Sequence, residues 1–224
     1  MDKSIAERLH NSCTPWAYVN KPKFNVDPAG YDLKDVDNEF LNQFWNNQLV
    51  FVRSAMIARA LSESYSDTGT MNIIWQQSIN NAYSTAVIEW CKAYGTDNEE
   101  FHWKNVFGER TSFMRDLLDN AKISNDEYKT YWERMIRARN ERIVHSHLDG
   151  EGPVELPEFD TAIKMARSVH FILNELMPHL SKEQAALCHI TPMSFDTWRA
   201  NLESTLVETI PQALEATKEI VAPR

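Results

Sequence analysis

Between Phe40 and Ala58 the apolar residues return every three or four positions. Phe40, Phe44, Phe51, Ala55 and Ala58 fall on one side together with Gln48, and Leu41, Trp45, Leu49 and Val52 lie beside them. That period belongs to a helix, and an apolar arc this wide belongs to a helix covered by neighbours on several sides. Few stretches of the chain alternate strictly, as half-buried strands do, and only 6 of 224 residues are glycine. The periodicity predicts an all-α protein: an up-and-down bundle of four to five long helices with short accessory helices.

The same reading divides the chain. Residues 1–32 hold Pro15, Pro22 and Pro28 with aromatics between them and form an N-terminal arm. Residues 33–190 form the bundle, and residues 191–224 a C-terminal helical extension packed on the same domain. Helices are expected from Leu33 to about Glu63, and from Met71 to Tyr94 with Ile74, Ile79, Tyr83, Ala86, Val87 and Trp90 inward, stopped by Gly95. Shorter pieces follow over Asn98–Phe107 and Thr111–Ala121. Another helix runs from Pro157 to Leu180, a short one over Ser181–His189, and a last one over Phe195–Ala216. Between the first two long helices, Tyr65–Thr70 reads as a loop. Its Asp67-Thr68-Gly69 matches the short aspartic-protease signature, but that chemistry needs two carboxylates on a β-fold, so the match is read as a turn. His102, beside Trp103, reads as a packed, hydrogen-bonded histidine.

No apolar run approaches the roughly 20 residues that span a bilayer, and the N-terminus has no apolar core of a secretory signal. Cys13, Cys91 and Cys188 are far apart and odd in number, which suits a reducing cytoplasm better than a disulfide framework. No membrane and no cofactor is expected. The net charge is −9, yet Lys129–His147 holds five positive residues against two carboxylates, so the rest of the chain carries −12. An acidic surface argues against general nucleic-acid binding and leaves room for a local basic site.

That basic stretch reads as one helix from Glu127 to Asp149, with Ser124 as N-cap and Glu127 closing a capping box. Tyr128, Trp132, Met135, Arg139 and Ile143 share one face, which places a guanidinium in an apolar seam. Such a charge needs a partner or water. One reading is an ion pair to a neighbouring helix. Another treats His145-Ser146-His147-Leu148-Asp149 as the opening of a dinuclear zinc motif, but that motif requires a histidine where Gly150 stands, so no metal site is expected. A third is a metal-free site. Phosphodiester cleavage by a ribose 2′-OH needs a group titrating near neutrality, which His145 supplies, and fixed positive charge on the phosphorane, which Arg139 supplies. Six residues of ideal helix turn through about 600°, leaving the two side chains about 120° apart. They converge only if the helix ends near Val144 or a second subunit closes the site.

Arg139-Asn140-Glu141-Arg142-Ile143-Val144-His145 resembles the R-x(4–6)-H motif of the HEPN superfamily, including the polar residue after the arginine. Glu89-Trp90-Cys91 through Gly95, His102-Trp103 and the restart at Pro157 resemble its abortive-infection branch. The resemblance implies a helical bundle that dimerises so that two such motifs face one cleft. It also implies metal-independent endoribonuclease activity in phage defence or a toxin–antitoxin pair, with an antitoxin protein as a possible partner. Arg139 and His145 are then the catalytic pair and Asn140 an auxiliary polar group, while Arg134, Arg137, Arg142 and His147 contact RNA. Arg142 to His147 also fits the spacing; Arg139 is preferred because it alone occupies the seam. Members controlled by a nucleotidyltransferase carry a tyrosine two residues past the histidine, where this chain has His147. A silent RNA-binding or docking module of the same fold is the alternative.

Overall fold

The structure is a computed structural model that describes residues 26–31, 37–68, 73–108, 112–144, 157–181 and 194–217. Among them there is no strand, and the protein is all-α. Seven α-helices follow in order: α1 (Asn38–Thr68), α2 (Ile73–Tyr94), α3 (Trp103–Phe107), α4 (Phe113–Ala121), α5 (Asn125–Arg137), α6 (Asp160–Leu176) and α7 (Phe195–Ala216). Residues 1–25, 32–36 and 182–193 lie outside the description, and with them most of the expected arm and the expected short helix at Ser181–His189.

The longest contact is α1 against α2, and the two run antiparallel. Phe44 and Gln48 near the start of α1 meet Tyr94 at the end of α2, while Ala60 and Leu61 meet Trp75 and Ile79 at its start. The wide arc read from α1 is what the core uses: Leu41, Phe44, Trp45, Phe51, Val52 and Ala55 are buried. They meet Val87 and Trp90 of α2, Tyr131 and Met135 of α5, and Met165, Val169 and Ile172 of α6. The last helix lies along α1, where Ile210 and Leu214 form a second cluster with Ala60 and Leu61.

Two local expectations need correction. α1 continues through Asp67 and Thr68, so the protease-like tripeptide begins on a helix end and not in a loop. Ile74 is not inward: it is 58% exposed, with Ile73 beside it at 71%, because Trp75 takes the inward position of that turn and packs on Ala60 and Leu61. The capping box forms as read, with Ser124 Oγ accepting from Glu127 N at 3.2 Å and Glu127 Oε2 accepting from Ser124 N at 2.8 Å.

Before α1, a turn at Pro28–Gly30 brings Tyr31 into the core, where its hydroxyl donates to the buried Asp116 carboxylate at 3.0 Å. Gly30 is dictated by space. Its carbonyl accepts from Ser112 N at 3.0 Å, and an added Cβ would collide with Ser112 Oγ and sit 2.9 Å from Ser112 Cβ.

His170 of α6 is buried between Trp45 of α1 and Phe195 of α7, with Nε2 2.8 Å from Asn174 Nδ2. Burial lowers its pKa to about 4; Asp196 opposes this and Arg167 adds to it. The folded imidazole therefore stays neutral where the unfolded one, titrating near 6.5, is protonated. Its contribution to stability is full above pH 6.5 and is lost as pH falls toward 4, by on the order of 2–3 kcal/mol. Urea unfolding at pH 7 and pH 4.5 should show that loss in the wild type and a clearly smaller one in His170→Leu. Equal pH dependence in both proteins would refute the assignment.

Candidate functional site

The site grows from the C-terminal end of α5. Its buried stripe is Tyr131, Met135 and Ala138, one position round from the seam read in the sequence. Tyr128, Trp132 and Arg139 form the half-buried edge of that stripe. The expectation of a single α-helix from Glu127 to Asp149 also needs correction. α winding ends at Arg137, and Ala138–Val144 is a π-helix that keeps contact with α2. The wider π turn inserts one residue per hydrogen-bonded loop, a distortion frequent at functional sites. It begins one residue before Arg139.

Arg139 has 18% of its side chain exposed, and two of its donors are committed. Nη1 donates to Glu99 Oε1 at 2.9 Å, and Nε donates to Oδ1 of the neighbouring Asn140 at 3.1 Å. Nη2 has no partner among the described residues. The arginine is thus paired, as the ion-pair reading required, but to a carboxylate between α2 and α3 and not on a helix. Guanidinium and carboxylate are both partly open to water, so the pair is neither a buried ion nor a freely solvated one.

Glu99 is held from its backbone. Its N–H donates to Thr96 O at 3.0 Å, and its carbonyl accepts from His102 N at 3.1 Å and Asn105 Nδ2 at 3.0 Å. His102 then caps α3, with Nδ1 accepting from Lys104 N at 3.4 Å. Burial depresses its pKa, and Asp97, 3.9 Å from Nε2, pulls the other way. This is the packed, hydrogen-bonded histidine that the sequence suggested. Trp132 ties α5 to the same corner, its Nε1–H shared between Tyr94 O at 2.7 Å and Gly95 O at 3.2 Å. Beneath the pair lies Cys91, whose Sγ is 4.0 Å from Met135 O. Burial pushes its thiol up to about 12, against the pull of Arg139, so it is protonated at neutral pH and no nucleophile.

Of the residues singled out in the sequence, Arg139 and Asn140 are brought together. Arg134 and Arg137 are exposed on the far side of α5, roughly 140–160° round from Arg139; Arg137 bonds Glu141 at 2.8 Å, the i,i+4 pair expected. Arg142 lies on the π-helix, and its side chain is outside the description, as are His145, His147 and Asp149. Among the described residues no group of three His, Cys, Asp or Glu is placed to hold a metal ion. None of their helices is long and apolar enough to cross a membrane.

Sequence reasoning missed Glu99 and the clamp through Trp132. Nothing local separates Glu99 from Glu100, and its partner is 40 residues away. No family model, characterised protein or solved structure matches this chain.

Proposed function

We propose that the protein is a metal-independent endoribonuclease of the HEPN type, acting as a cytoplasmic homodimer in phage defence or a toxin–antitoxin pair. The observation that carries this reading is the state of Arg139. It sits at the start of a π-helical turn, oriented through Nη1 and Nε, with Nη2 uncommitted among the described residues. A guanidinium held this way is pre-organised to receive the non-bridging oxygens of a phosphorane. In the chemistry proposed, the ribose 2′ oxygen attacks phosphorus and the bond to the 5′ oxygen breaks. His145 moves the proton from the 2′-OH to the leaving oxygen. The products are a 2′,3′-cyclic phosphate and a 5′-OH.

Purified protein incubated with single-stranded RNA and excess EDTA should cleave as fast as without chelator and leave those ends, because the arginine–histidine chemistry needs no metal. Activity that vanishes with EDTA and returns with zinc or manganese would instead assign the site to His145, His147 and Asp149.

The Glu99–Arg139 bond favours a second reading, in which the arginine only locks the corner between α2 and α5 and the chain is a silent RNA-binding or docking module. RNA bound but uncut under all conditions is the result that would select it.

A further inference from the structure

A pocket lies at the other end of the same face of α5. It measures about 520 Å³ between α3, α4 and the start of α5, and Trp103, Leu118 and Tyr128 are among the residues that line it. Trp103 is held rigid by stacking on Phe113, with ring centroids 5.8 Å apart. Tyr128 and Arg139 are eleven residues apart, about 20° round the helix and ~16 Å along it. A single strand whose phosphate meets Arg139 can therefore lay a nearby base in this pocket.

Arg115, Asp119 and Asn125, all exposed, bring polar groups to the same lining. Arg115 and Asp119 are one turn apart on α4 and so are neighbours on its surface. Arg115 spends Nε and Nη2 on Asp116 Oδ1, at 2.9 and 2.8 Å, which leaves Nη1. The Asp119 carboxylate acts on the Arg115 guanidinium through charge, and neither it nor the Asn125 amide has a side-chain hydrogen bond among the described residues. With Asp126 and Glu127 just beyond, the rim is not basic enough to attract a phosphate. A neutral flat ring suits it better, laid against the aromatic lining and read on its edge, as single-stranded RNA is generally recognised.

We propose that this pocket binds an unpaired guanine. Guanine presents N1–H and N2–H₂ side by side, the donor pair a carboxylate such as Asp119 accepts together. It also presents the O6 and N7 acceptors that an arginine donor serves. Adenine, cytosine and uracil do not offer that donor pair. This inference rests on the reading of the chain as an RNA-binding protein and deepens it with a base preference.

The test uses the full chain and 2′-O-methyl pentanucleotides, which cannot be cleaved through a 2′-OH. By calorimetry, UUGUU should bind at least about tenfold more tightly than UUAUU or UUUUU, the scale of one well-made bidentate base contact. Asp119→Asn should bring the three within about twofold of one another, while Asp126→Asn, with the same change in charge outside the pocket lining, should keep the preference. Melting curves of both variants check that the fold is intact. Free GMP separates the two sources of the base: weaker binding than UUGUU identifies the strand, and equal binding identifies the mononucleotide, with guanine the recognised group in either case. Three equal affinities, or a preference that survives Asp119→Asn, would overturn the pocket assignment, and RNA cleavage could still stand. Guanine preference without any cleavage would overturn the nuclease and keep the pocket. Absence of both would overturn both.

Discussion

Arg139→Ala and His145→Ala should each reduce RNA cleavage by about 10²–10⁴-fold, the ordinary worth of a general acid–base group or a fixed charge on the transition state. His147→Ala should retain much of the activity. The double variant should be little worse than either single one, because groups that act on one transition state do not contribute additively. Mixing the two single variants tests the dimer. If one protomer's arginine serves its partner's histidine, exchange of subunits restores about a quarter of wild-type activity, since half the dimers are mixed and each has one intact site. No recovery after demonstrated exchange would place both groups in one chain.

Stability distinguishes catalysis from architecture at the same residue. Removing one member of a fully buried pair costs about 3–5 kcal/mol, and an exposed pair contributes up to about 1 kcal/mol. Arg139 and Glu99 have 18% and 33% of their side chains exposed, so Arg139→Ala should fall between those limits. A loss of cleavage by three orders of magnitude with such a modest change in melting belongs to chemistry. Glu99→Gln keeps the shape and removes the charge; it should lower activity less than Arg139→Ala does, because it loosens the guanidinium without deleting it.

Phe113→Ala should destabilise the protein by about 3–5 kcal/mol, the cost of emptying a large aromatic site in a core that cannot collapse to fill it. Phe113 is fully buried. Its ring stacks on Phe107 at 4.3 Å and on Trp103 at 5.8 Å, and meets Phe44 edge-on at 5.8 Å. It thus joins α1, α3 and α4 and supports one wall of the pocket. Urea denaturation measures the loss; a cost under about 1 kcal/mol would mean that the three helices are held by other contacts. Should the variant prove too unstable to purify, Phe113→Leu, which keeps most of the volume, should show a smaller loss in the same direction.

The helical class was legible because it is a matter of period. The arc on α1, the stop at Gly95, the capping box at Ser124 and Glu127 and the span of α7 can all be read from spacing and local backbone chemistry. Each depends on residues within a turn or two of one another. The unusual status of Arg139 was also visible, as a charge where the pattern calls for an apolar side chain. Its surroundings were not. The partner at Glu99, the tryptophan clamp on Tyr94 and Gly95, and the change of winding at Ala138 depend on how α5 meets the end of α2. Ala138 and not Arg139 takes the core position, and no periodicity count separates neighbours at the edge of a stripe. The pocket is the same kind of case: Trp103, Arg115 and Tyr128 come from three helices and converge only once those helices pack. Sequence by itself determined what is periodic and local, because backbone hydrogen bonds and apolar faces repeat along the chain. Tertiary structure alone decided which charge meets which, because pairs 40 residues apart leave no pattern in either partner's neighbours.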